Sequence, residues 1–217
     1  MRAAGTSTRK AVVMPVTPLT EECQRLLAIV RRICPDLLPS EPVGAGTVVP
    51  TIPINTEQAQ QLFVPAAAAA AGIDPLKGDP KSLVKWREGD RELLIFPAGV
   101  RVQFATGVIA VSIPCSCDQT RPALVHVSFV VGDPNQPAGL IAATDARPRG
   151  PAVIVDAWGD ALVAYAWHIV LEVVAGVAGE AGRDVDGSRL VPIGLAASGE
   201  GMFVVPMARH VFDRERS

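Results

Sequence analysis

Charged side chains are scarce in this sequence. Asp, Glu, Lys and Arg make up 19% of its 217 residues, against about 25% in an average soluble domain. Hydrophobic residues reach 49%, and the mean hydropathy is +0.30. Such a chain has more apolar surface than one monomer readily buries, so we expect a homo-oligomer.

Long runs of lysine or arginine are also missing, and the formal net charge is −2. Binding to nucleic acid depends on many phosphate contacts, and binding to single strands also uses aromatic stacking. Without basic runs the chain is poorly suited to phosphate contacts, and with aromatic residues at only 5% it has few side chains on which bases could stack. We expect no nucleic-acid partner.

Cysteine is too rare to build a disulfide framework, since four cysteines are spread over a chain of this length. The apolar stretch 11–14 is cut short by Pro15 and does not resemble a signal peptide. Both features favour a cytoplasmic location.

Sequence motifs that would identify a reaction or a cofactor are missing too. Gly44 and Gly46 lack the third glycine of a dinucleotide-binding loop, and Ser198 does not have nucleophile-elbow spacing. The sequence resembles no family closely enough to name it. The cofactor is therefore unknown, and we lean towards a protein without catalysis.

What the sequence does contain is one segment, 157–178, that is apolar on almost every side of a helix. Such a helix must be covered on nearly all sides. Asp160, His168 and Glu172 form its single polar row at i, i+4 spacing, and Asp156 is placed to cap its N-terminus. A charged residue at mid-bilayer costs about 2.5–3.5 kcal/mol, so we expect a buried helix and no membrane span.

The N-terminal part of the chain reads as helical and irregular. One amphipathic helix starts after Thr20 and stops before Pro35, and a second, from Glu57, should be broken by Pro65. Between them, 35–55 is rich in proline and reads as an irregular crossing segment.

From residue 82 the hydrophobic period changes to two, which indicates strands joined by short turns. The predicted strands are 83–87, 92–96, 100–104, 108–113, 123–131, 139–144, 152–155, 189–195 and 202–206. The predicted fold is α+β, with an antiparallel sheet built from hairpins and packed on helix 157–178. We expect a flexible arm at 1–10, a single domain at 11–212 that divides into 11–80 and 81–212, and a charged tail at 213–217.

Cys115 and Cys117 are the most conspicuous local pair. On a strand both thiols point to the same side and continue the inward face of the preceding residues. They could be half a metal site completed by His126, or a redox pair. Buried cysteine more often packs as a small apolar residue, and we favour that interpretation.

Two groups of polar residues are candidates for ligand binding. The loop with Asp145, Arg147 and Arg149 combines a carboxylate with two guanidinium groups, which suits a small anionic ligand. Its alternative is a solvated turn with an internal Asp145–Arg147 pair, which we favour. His126 should lie on the strand face opposite the main core residues. A lone histidine at such a position is more often structural than catalytic.

His168 and Glu172 form the other group. They are either an acid–base or ligand pair in a pocket, or an i, i+4 pair along the solvated edge of the helix, which we favour. The leading functional hypothesis is a self-associating domain that binds a small ligand or protein partner. The alternatives are an enzyme with a pocket between sheet and helix, where at least three candidate side chains would meet, and a structural subunit of a larger assembly.

Overall fold

A computed structural model of the chain describes residues 21–35, 50–74, 83–140, 147–182 and 188–210. The predicted arm, the tail, Thr20 and Asp145 lie outside this part. The elements are α1 (Glu21–Ile33), β1 (Ile52–Asn55), α2 (Thr56–Ala70), β2 (Val84–Glu88), β3 (Arg91–Ile95), a 3-10 turn (Pro97–Gly99), β4 (Arg101–Ala105), β5 (Val108–Cys117), β6 (Ala123–Val130), β7 (Ala138–Gly139), α3 (Ala152–Ala181), β8 (Ser188–Ser198) and β9 (Gly201–His210). The fold is α+β, as predicted.

The strands form two antiparallel sheets. The first has the order β1-β9-β8-β7. In the second, β5 is central, with β6 along one edge and both β3 and β4 along the other, and β2 pairs with β3. All the pairings within the described sheets join antiparallel neighbours, which is what short turns between consecutive strands favour.

The two sheets are joined at Ala197 of β8. The N–H of Gly107, in the turn between β4 and β5, donates to the carbonyl of Ala197 over 2.9 Å. The N–H of Ala197 in turn donates to the carbonyl of Gly132, just after β6, also over 2.9 Å. These bonds hold the two sheets edge to edge beside α3.

The inner faces of the sheets and the helices α1 and α2 enclose α3. Its buried side chains include Leu162, Ile169 and Val173, which have no exposed surface. The alternation predicted for β5 and β6 is confirmed, because Val111 and Val127 are buried on the inner face. By length and composition alone α3 could cross a membrane, but 56% of its most apolar stretch is buried inside the protein, as in the core helix of a soluble domain.

The start of α3 corrects two predictions. The segment 152–155, predicted as a strand, is the first turn of this helix, and Asp156 lies inside the helix instead of capping it. Ile154 and Val155 are buried in that turn, so core packing outweighs the strand preference of β-branched residues. Pro151 precedes the helix, where proline is tolerated.

The region before β2 brings two further corrections. Pro65 does not break α2, which runs through it from Thr56 to Ala70. A capping box holds its start, since the N–H of Gln58 donates to Asn55 Oδ1 over 2.9 Å and the N–H of Asn55 to Gln58 Oε1 over 3.1 Å. The end of the segment expected to be irregular contains β1, which pairs with β9 as an edge strand, a place where prolines such as Pro53 are accepted.

Candidate functional site

Four polar residues lie side by side across the outer face of the second sheet. Arg101 of β4 is opposite Ser112 of β5, and Ser112 is opposite His126 of β6. His126 in turn forms an isolated antiparallel bridge with Arg149. Directly paired residues share one face of a sheet, so these four form a continuous line that we call the basic row.

The middle of the basic row is a serine–histidine contact. Ser112 Oγ lies 2.8 Å from His126 Nδ1. Ser112 is only 6% exposed although it is on the open face, so its neighbours on that face cover it. The contact occupies Nδ1 and leaves Nε2 of the exposed imidazole directed away from this bond, available to an external group.

Arg149 reaches the row through its backbone. The N–H of His126 donates to the carbonyl of Arg149 over 2.8 Å, and the N–H of Arg149 donates to the carbonyl of His126 over 2.9 Å. Gly150 permits this approach, because a Cβ there would lie 2.9 Å from Val125 Cγ2 and 3.3 Å from the carbonyl oxygen of Leu124. The next residues start α3, so the buried helix fixes the position of Arg149.

Both ends of the basic row present exposed arginines. Arg101 uses one N–H on the carbonyl of Val100, over 3.0 Å, and a guanidinium has five such donors. The outer-face residues of β4, β5 and β6 include no aspartate or glutamate. An anion placed above Ser112 and His126 would therefore meet cations from both sides and no carboxylate among these strands.

The other candidates from the sequence lie elsewhere. Arg147 forms an ion pair with Asp156 in α3, so the positive charge of Arg147 is already compensated. His168 Nε2 lies 3.1 Å from Glu172 Oε1 on the solvated edge of α3, which is the geometry predicted for an i, i+4 pair. The structure thus brings these residues together in pairs at separate places.

The cysteine pair continues the inner face of β5, as predicted. Cys115 is fully buried, and burial raises the pKa of its thiol to about 11, with a smaller contribution from Cys117. Cys117 is half-buried, and its Sγ lies 3.4 Å from Thr120 Oγ1. His126 is on the opposite face of the same sheet, so it cannot share a metal ion with them. Within the described residues no three His, Cys, Asp or Glu side chains are grouped to hold a metal.

A cleft of about 280 Å³ opens where α3 begins, between the β2–β3 turn and the end of β5. Four carboxylates line the cleft, and a tryptophan forms one of its walls. These residues are Asp90, Glu92, Asp118, Asp156 and Trp158. The sequence gives no signal for this cleft, because its lining comes from three distant segments.

Two of the carboxylates in the cleft already have cationic partners. Glu92 Oε1 lies 2.6 Å from Lys85 Nζ, and Glu92 Oε2 lies 3.2 Å from Arg87 Nε. The hydrogen bond from Lys85 and, to a smaller extent, the one from Arg87 hold the pKa of Glu92 below its usual value. Asp156 is paired with Arg147.

Sequence reasoning identified His126 and Arg149 but missed Arg101 and Ser112. Neither residue stands in a motif, and each becomes significant only through the register of β4, β5 and β6. No protein-family model, curated protein or solved structure gives a significant match to this chain. The geometry of the site therefore carries the functional argument alone.

Proposed function

We propose that this protein is a non-catalytic binding domain whose basic row receives the anionic group of a small ligand or a partner protein. The observation that carries this proposal is the register that aligns Arg101, Ser112, His126 and Arg149 on one open sheet face. Guanidinium groups bind carboxylates and phosphates through paired, charge-assisted hydrogen bonds.

The environment of Ser112 favours binding over catalysis. A serine nucleophile needs an accessible hydroxyl and a histidine whose second nitrogen is held by a third group. Ser112 is instead covered, and its Oγ contacts Nδ1 of His126, whose side chain is exposed. This arrangement suits a serine that orients the imidazole as one more donor to an anion.

The test is a titration of the ¹⁵N-labelled protein with inorganic phosphate at constant ionic strength, followed by NMR. We expect saturable shifts at the amides of His126 and Arg149. Arg101→Gln and Arg149→Gln should each weaken binding about tenfold, because a hydrogen bond to a charged group contributes about 1.5–3 kcal/mol.

The matched control is Arg87→Gln. Arg87 is an exposed arginine of the same sheet, but it is paired with Glu92, so its removal should leave phosphate binding unchanged. Phosphate shifts that do not saturate, or that are equally weakened by Arg87→Gln, would contradict the proposal.

We also propose that the chain self-associates, because most of the described side chains on the outer face of the first sheet are apolar. Its described side chains include no charged group, and its large apolar members are Val191, Ile193, Phe203, Val205 and Met207. Ile193 lies at a register shift between β8 and β9 and is 44% exposed. We call this surface the apolar face. Sheets commonly pack face to face through such surfaces.

A further inference from the structure

The surface beside the basic row is apolar on one side. Pro114 and Leu124 form the cross-strand pair next to Ser112 and His126 on the same face. Leu124 is 47% exposed and Pro114 is half-buried. Two residues along a strand span about 6.6 Å. A group attached to an anion above His126 would therefore reach Leu124 within the length of one ring.

The opposite side of the row offers no comparable contact. There the next pair on this face is Ala110 with Ser128, which is small and partly polar. Val130 is also exposed, at 45%, but four residues separate it from His126, or about 13 Å. The apolar arm of a compact ligand is accordingly directed towards Leu124.

The donors of the row decide the type of anion. Arg101 lies on β4, His126 on β6 beyond β5, and Arg149 in the segment bridged to β6. Three strand spacings of about 4.8 Å therefore separate the two arginine Cα positions, roughly 14 Å in all. An anion bound midway meets donors from both ends and from the imidazole below. A carboxylate has two oxygens for these three donors, whereas a phosphate monoester has three terminal oxygens.

We propose that the ligand of the basic row is an aryl phosphate monoester, with its phosphate group above His126 between the two arginines and its ring on Leu124 and Pro114. This inference rests on the proposed function, and it adds the class of ligand and the direction in which the ligand lies. Ser112 acts as a positioning residue that holds the imidazole beneath the phosphate group.

The experiment compares phenyl phosphate with methyl phosphate, which carry the same anionic group. We expect the wild-type protein to bind phenyl phosphate at least about fivefold more tightly, because the ring removes apolar surface of Leu124 from water. Leu124→Ser should abolish this preference, so that phenyl phosphate and methyl phosphate bind the variant equally. Val130→Ser replaces an apolar residue of the same strand that is about as exposed as Leu124. This variant should keep the preference for phenyl phosphate.

The outcomes separate this inference from the function on which it rests. Binding of methyl phosphate with no gain for phenyl phosphate would overturn the inference alone, as would a preference that survives Leu124→Ser. Failure of both esters to bind the wild-type protein would overturn the anion-binding function itself. Both variants change exposed side chains, and their NMR spectra verify that they are folded.

Discussion

Gly150 is the residue on which the position of Arg149 depends. A Cβ at this residue would lie 2.9 Å from Val125 Cγ2 and 3.3 Å from the carbonyl oxygen of Leu124. Gly150→Ala therefore requires a shift of this segment or of Val125, and Val125 is fully buried. We expect phosphate affinity to fall about fivefold and the free energy of unfolding to fall by about 1 kcal/mol. Gly199→Ala is the control, since nothing lies within 4 Å of that position. Equal phosphate affinity in both variants would show that Arg149 is not part of the site.

Cys115 and Cys117 should differ sharply in reactivity although they are two residues apart. The thiolate is the reactive form, and burial raises the pKa of Cys115 to about 11, so about one thousandth of it ionises at pH 8. We expect iodoacetamide to label Cys115 at least about tenfold more slowly than half-buried Cys117, as measured by peptide mass spectrometry. In urea the two rates should converge. Equal rates in the folded protein would contradict the buried position of Cys115.

The raised thiol pKa also has a consequence for stability. The unfolded chain loses the Cys115 proton near its ordinary pKa of 9.0, whereas the folded protein keeps it until about pH 11. Protonated Cys115 therefore favours the folded state below pH 9, and this contribution disappears as pH rises from 9 to 11. Urea denaturation should show a smaller loss over this range for Cys115→Ala than for the wild type. An identical loss in both proteins would assign the alkaline destabilisation to other groups.

Helix α1 is attached to α3 by an ion pair that the sequence did not reveal. Arg31 Nε donates to Glu180 Oε1 over 2.7 Å and Arg31 Nη2 to Glu180 Oε2 over 3.2 Å, where the glutamate side chain is 4% and the arginine 55% exposed. Removing one partner of a fully buried pair costs about 3–5 kcal/mol. Because Arg31 is half exposed, we expect Arg31→Leu to lower the free energy of unfolding by about 1–3 kcal/mol.

Urea denaturation of matched variants checks this prediction. Arg32→Leu removes an exposed arginine from the same helix turn and should be nearly neutral. Adding Glu180→Gln to Arg31→Leu should recover part of the loss, because a neutral amide is cheaper to bury than a carboxylate that has lost the positive charge of Arg31. Equal small effects of Arg31→Leu and Arg32→Leu would show that the pair does not hold α1 in place.

The elements that could be predicted are those whose pattern is local. Strict alternation identified β6 and placed His126 on its outer face, and the apolar run identified most of α3. The errors arose where tertiary packing outweighed local preference, as in the first turn of α3 and in α2 through Pro65. The basic row could not be predicted from the sequence. It depends on the register that pairs Arg101 with Ser112 and Arg149 with His126, and no single segment of the sequence determines that register.

The two sheets give the whole molecule two outer surfaces of different character. The second sheet carries the basic row, whereas the first presents the apolar face. The chain is poor in charged residues, and the apolar face reflects this shortage, because its described side chains include no charged group. Burial of that surface between two copies would leave the basic row of each copy exposed to solvent and open to the proposed ligand.

Self-association through the apolar face is the prediction for the molecule as a whole. Native mass spectrometry at about 10 μM should give a multiple of the 22.8 kDa chain mass, and a dimer with a two-fold axis is the commonest arrangement. Ile193→Glu and Val205→Lys should each yield monomers, because a like charge from both copies would be buried at the axis or opposite an apolar partner.

The control for this prediction is Leu83→Glu, which places the same charge on an equally exposed apolar residue next to the second sheet. This variant should keep the wild-type mass. A monomeric wild-type protein would contradict self-association, and an oligomer that persists in both apolar-face variants would place the interface elsewhere. Since Ile193 and Leu83 are 44% and 48% exposed, neither change disturbs the core, and a difference in mass between them reports on the interface alone.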